Sequence, residues 1–189
     1  MRFAKTRKSL VAVLAAMTVV LASPAIAYAD GSVSYTSTNG AYSGKCIDQW
    51  RDFDLPLKSD VRLDVELCLY RHGTKFAFSA RISQDGGLGL GSGHRWDALT
   101  VTITFEKRAN GGGSDQIVGR RTCNIVKNFN DYSSTEKYCP AVDSVSLAYP
   151  ETPYTSAYDW SLDGWIDYDI DNDGKGSSRW NLTGSPLLF

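Results

Sequence analysis

The run Asp167-Tyr168-Asp169-Ile170-Asp171-Asn172-Asp173-Gly174 places a carboxylate at every second position and ends on a glycine. Asp169, Asp171, Asp173 and Gly174 match the opening of the D-x-D-x-D-G calcium loop. In that loop, closely spaced oxygens surround a hard cation that takes about six to eight of them, and the glycine lets the chain turn sharply. Ser177 falls where such a loop contributes through water, and Asp167 is an additional ligand candidate. The match then departs from the helical hand. Trp180 stands where a bidentate glutamate is needed, and no amphipathic helix flanks the run. The four aspartates are therefore read as a candidate Ca²⁺ site between strands, with a solvated acidic β-turn as the plain alternative.

The same region is rich in rings. Tyr149, Tyr154, Tyr158, Trp160, Trp165, Tyr168, Trp180 and Phe189 crowd into its last part, and seven acids lie between Glu151 and Asp173. Aromatic faces beside carboxylates can stack on sugars and bind hydroxyls, and Trp and Tyr supply much of the energy of protein interfaces. Tyr154, Tyr158, Trp160, Trp165, Tyr168 and Trp180 are the candidate ligand-binding set. Rings at strand spacing also fill cores, and that structural use is the competing reading.

Catalytic chemistry has weaker support. Asp64 and Glu66 share a strand face and Glu106 lies on another strand, so paired carboxylates of the glycosidase kind are conceivable. His72 and His94 have no ordered serine motif such as G-x-S-x-G beside them. The glycine-rich stretch from Gly86 to Gly93 lacks the Lys-Ser/Thr ending of a phosphate loop. No catalytic residue is assigned.

Four cysteines, Cys46, Cys68, Cys123 and Cys139, lack the close paired spacing of a zinc site. An even number in an exported chain points to two bridges. Pairing sequence neighbours closes the smaller loops, which predicts Cys46–Cys68 and Cys123–Cys139.

Export itself is read from residues 1–29. Arg2, Lys5, Arg7 and Lys8 precede an apolar stretch from Leu10 to Leu21, and Ala27-Tyr28-Ala29 forms a small-x-small cleavage site. The chain carries 20 basic and 21 acidic side chains. Four basic groups leave with the leader, so 16 against 21 gives the mature domain a charge of -5. An acidic chain without a long basic run is a poor partner for nucleic acid. No later apolar run reaches the ~20 residues of a membrane span. A single secreted domain over 30–189 is expected.

Elements of one type must position these groups. Val61, Leu63, Val65, Leu67 and Leu69 alternate with Arg62, Asp64, Glu66 and Cys68, and Phe76, Phe78, Ala80 and Ile82 continue beyond a turn as a hairpin. Leu99, Val101, Ile103 and Phe105 alternate with threonines, whose Cβ branching favours a strand. Further strands are expected within 33–37, 45–50, 116–126, 144–149 and 158–169, with at most a short helix in the polar segment 127–137. One-sided alternation throughout implies an all-β, antiparallel two-sheet β-sandwich, favoured over a barrel-like closure. The expected function is a secreted, non-catalytic binding domain. It would recognise a protein or a cell-surface glycan through loops and the aromatic, acidic C-terminal region. The alternatives are an extracellular polysaccharide hydrolase, or a peptidase inhibitor presenting Lys127 to Cys139 as a rigid loop.

Overall fold

The computed structural model describes residues 31–39, 42–86, 93–139 and 155–188. The leader, the strand expected over 144–149, most of the glycine-rich stretch, Tyr154 and Phe189 lie outside them. Two antiparallel sheets face each other. In chain order the elements are β1 (Gly31–Asn39), β2 (Tyr42–Phe53), β3 (Val61–His72), β4 (Lys75–Gly86), β5 (Trp96–Ala109), β6 (Gln116–Asn124), α1 (Val126–Asp131), β7 (Ser134–Tyr138), β8 (Tyr158–Ile170) and β9 (Ser178–Asn181). The first sheet runs β1-β2-β3-β4-β7 and the second β6-β5-β8-β9. The sheets do not close into a barrel, so the two-sheet sandwich stands.

Alternation explains which faces meet. Leu63, Val65, Leu67 and Leu69 on β3 and Phe76, Phe78, Ala80 and Ile82 on β4 are buried against Leu99, Val101, Ile103 and Phe105 of β5 and Leu162 and Ile166 of β8 in one hydrophobic cluster. Rings join the sheets at both ends. Phe53 of β2 makes edge contacts with Trp96, Tyr168 and Trp180, at centroid distances of 5.1, 5.0 and 6.3 Å. Phe76 of β4 lies 5.2 Å from Phe105 and 4.8 Å from Trp160, and those two rings stack at 5.1 Å. Such pairs add to the energy of burial itself.

Both disulfides join the cysteines paired from sequence. Cys46 and Cys68 sit directly opposite each other on β2 and β3, on the outer face. Tyr70 lies over Gly44 beside them; a Cβ on Gly44 would stand 2.4 Å from the Tyr70 ring, so only glycine leaves room for it. Cys123–Cys139 ties β6 at one edge of the second sheet to the residue following β7 at the edge of the first.

The polar segment after Cys123 is more ordered than its composition suggests. It forms α1, with Phe129 fully buried, and then β7, whose pairing with β4 holds it in the sheet. Lys127 to Cys139 is thus a helix and a bonded edge strand, which replaces the rigid exposed loop expected of an inhibitor. The C-terminal segment continues along β8. Leu182, Ser185 and Leu188 donate backbone N–H groups to Gly164, Leu162 and Trp160, and Leu188 packs against the core.

Candidate functional site

Strand β8 sorts the C-terminal aromatics by parity. Trp160, Leu162, Ile166, Tyr168 and Ile170 point inward with Tyr158, while Asp159, Ser161, Asp163, Trp165 and Asp167 fall on the other face. Trp160 and Trp180 are 1% and 4% exposed, so the core uses them and they offer a ligand no surface. Tyr158 and Tyr168 are half-buried against the same core. Trp165 is the one member of the candidate set, among the described residues, placed on an outer face.

The register of the second sheet surrounds Trp165 with polar groups. Thr102 of β5 lies opposite it on one side and Asn181 of β9 on the other. Its indole Nε1 donates to Asp167 Oδ2 at 3.0 Å. The Arg179 guanidinium grips the same carboxylate with two bonds of 2.7 and 3.0 Å, and its Cζ lies 4.7 Å from the Trp165 ring centroid. From β6, Arg120 stands over the ring at 5.4 Å. The Arg179 hydrogen bond holds the Asp167 carboxyl below its ordinary range. An indole flanked by two guanidinium groups, one of them locked, is a pre-ordered patch of the residue types that dominate interface energetics.

Further along this face lie two carboxyls that burial sets apart from the exposed acids. Asp163 sits opposite Thr104, and Glu106 opposite Ser161, which makes the two acids diagonal neighbours on adjacent strands. Thr104 Oγ1 donates to Glu106 Oε1 at 2.8 Å, and the Gly164 N–H donates to Asp163 Oδ1 at 2.6 Å. Burial pushes both carboxyls above their ordinary range, and for Glu106 the charge of Asp163 adds to the effect. Asp163 was not singled out from the sequence. The parity of β8 places it on the Trp165 face, but its nearness to Glu106 depends on the β5–β8 register.

The other carboxylate candidates are elsewhere. Asp64 and Glu66 lie on the outer face of the first sheet, across the whole sandwich from Glu106, so the three cannot form one site. Glu66 is spent on Arg81 at 3.0 Å, and Arg81 also reaches Glu136 at 3.1 Å. Burial raises Asp48 and Asp64 on that face. Cys46, Glu66 and Cys68 are the one group of potential metal-ligand atoms that converges among the described residues. Both sulfurs are in the disulfide, so the group has no thiolate to offer a metal.

Each aspartate of the proposed calcium loop has a partner of its own. Asp167 is bound to Arg179, and Asp171 accepts from Lys58 Nζ at 2.6 Å. Asp173 Oδ1 accepts the Lys175 N–H at 2.8 Å, as in an Asx turn, and Asp169 receives a 3.4 Å bond from Ser177. No three of these carboxylates converge among the described residues. The loop here is the hairpin connection between β8 and β9.

Comparison with family models, curated proteins and solved structures finds no match for this chain.

Proposed function

We propose that the protein is an exported, non-catalytic binding module that recognises a partner protein through the outer face of its second sheet. The carrying observation is the Arg120–Trp165–Arg179 arrangement on β6, β8 and β9, fixed by Asp167. Holding these side chains in place before contact lowers the entropy lost on binding. The two guanidinium groups already occupy positions over the indole where a pyranose ring would stack, which favours a protein over a glycan. Two closed disulfides and the leader-like residues 1–29 support export to an oxidising compartment.

The test is capture of secreted proteins and of an immobilised glycan panel by the mature chain. Its control is the Trp165→Ser/Arg120→Ser variant. A protein ligand lost by the variant, with thermal stability unchanged, supports the reading. A ligand held equally by both proteins removes it.

One observation favours a second reading. Glu106 and Asp163 are diagonal neighbours, both raised by burial, and a pair of carboxyls on one face is the kind of arrangement glycoside hydrolysis draws on. Turnover of a soluble polysaccharide, abolished by Glu106→Gln and by Asp163→Asn separately, would put catalysis in place of simple binding.

A further inference from the structure

The turn between β2 and β3 carries a residue that its own geometry disfavours. Leu55, Pro56, Leu57 and Lys58 form the tight turn between β2 and β3, closed by the Lys58 N–H donating to Leu55 O at 3.2 Å. Proline at its first central position and a left-handed residue at its second give the type II pattern, which calls for glycine or asparagine at that second place. Leu57 stands there instead, with φ 60°. A side chain with a Cβ adopts that conformation rarely, and leucine has no polar group to offset it locally. It is also 104% exposed, so none of its apolar surface is covered. The surroundings force the geometry. Leu55 is buried in the core at 2% exposure, and Lys58 is tied to Asp171 in the other sheet's β8–β9 turn. That second turn holds Asn172 at φ 62°, and these two are the non-glycine residues with positive φ among the described residues.

We infer that Leu57 is an anchor that inserts into an apolar pocket, rimmed by basic groups, on a protein partner. Strain of this kind persists where the fold over-determines it, and such places are commonly binding sites. Charge selects the partner's rim. Asp54 and Asp60 are exposed three residues to either side of Leu57, while the positive charge of Lys58 is taken up by Asp171. A convex apolar tip between acids fits a concave apolar site between Lys and Arg side chains, and steering by opposite charge speeds the encounter. This surface is separate from the Trp165 face and stands without it.

Leu57→Gly and Leu57→Asn separate strain from binding. Both remove the knob, and both suit the turn, so the midpoint of thermal unfolding is expected to rise by about 2–4 °C for Leu57→Gly. The binding probe is the basic, cation-exchanger-retained protein fraction of the producing cells' culture fluid, applied to the mature chain. Each retained protein is then identified and purified, and its affinity measured at low and high salt. The expected partner is a basic protein that binds Leu57→Gly at least ~10-fold more weakly. It also weakens with salt and with Asp54→Asn/Asp60→Asn, and binds Trp165→Ser normally. The inference is overturned if Leu57→Gly fails to raise the midpoint, if no basic protein is retained, or if the retained protein binds Leu57→Gly as tightly as the original.

Discussion

The indole Nε1 of Trp96 donates to Gln84 Oε1 at 2.9 Å, across the interior from β5 to β4. The Gln84 amide nitrogen in turn donates to the Phe129 and Tyr132 carbonyls at 3.0 Å each, which fastens the end of α1 to the first sheet. Asn130 completes the joint by accepting from the Arg95 and Trp96 N–H groups and donating to Trp96 O. Gln84 is 1% exposed, so nothing but these partners replaces water for it. Gln84→Leu fills similar space but takes the partner from the Trp96 indole N–H and from the Phe129 carbonyl, while Tyr132 O keeps the Arg95 guanidinium at 3.5 Å. Each stranded buried group costs about 1–3 kcal/mol, less what relaxation recovers. The expected loss is about 2–4 kcal/mol in urea unfolding, and a loss near zero would show the joint to be dispensable.

The two bridges should matter in different places. Loop-entropy reasoning gives each about 3 kcal/mol for sequence separations of 22 and 16 residues. Cys46–Cys68 joins strands already paired along their length, whereas Cys123–Cys139 joins edge strands of opposite sheets. Replacing Cys123 and Cys139 by serine should therefore remove amide-exchange protection first from β7 and α1 and leave β3 and β5 protected. Uniform loss across all strands would contradict that division.

Glu106 gives a pH dependence with a definite sign. Its carboxyl is raised in the folded state, mainly by burial, so folding favours its protonated form. The penalty of the buried charge is absent below the unfolded value and is fully felt once pH passes the raised folded value. Glu106→Gln keeps an oxygen for the Thr104 hydroxyl and abolishes the titration. Its stability relative to the original protein should be higher at neutral pH than at pH 4, as read from urea unfolding at a series of pH values. Asp52 and Asp167 work in the opposite sense, because hydrogen bonds from Arg62 and Arg179 lower them. Their stabilisation is lost as pH falls through the lowered values. A Glu106→Gln advantage that grows on acidification would reverse the assignment.

Calcium offers a direct check on the Asp-rich turn. Asp171 is paired with Lys58 and Asp167 with Arg179, and among the described residues no three of the loop's carboxylates meet around one point. If those two ion pairs hold against the ion, millimolar Ca²⁺ leaves the unfolding midpoint unchanged, because only an ion bound to the native state raises it. A rise on adding Ca²⁺, reversed by chelator, would mean that the Lys58–Asp171 pair yields and the loop closes on the ion.

Much of the architecture was legible as alternation. Strands β3, β4 and β5 each carry a run of four or more apolar residues on one face, and the cysteine pairing follows from loop size. Ser134–Tyr138 and Ser178–Asn181 were not read as strands, because both are short and polar and take their order from β4 and β8. In the aromatic set, strand parity is the signal that the sequence carries. Trp160 shares parity with Leu162, Ile166 and Ile170, while Trp165 shares it with Asp163 and Asp167, which alone separates core from surface. Trp180 could not be sorted this way, since only its pairing with Ile166 places it inside. The Arg120 and Arg179 guanidinium groups come to Trp165 from strands distant in sequence, and no local spacing announces them.

The proposed function stands or falls with partner binding at the Trp165 face. The most direct measurement is the affinity of the captured protein ligand for the original chain and for Trp165→Ser, each checked for an unchanged unfolding midpoint. A half-buried aromatic anchor of this type predicts a loss of at least ~2 kcal/mol, roughly 30-fold in Kd. Equal affinity in the two proteins would contradict the account.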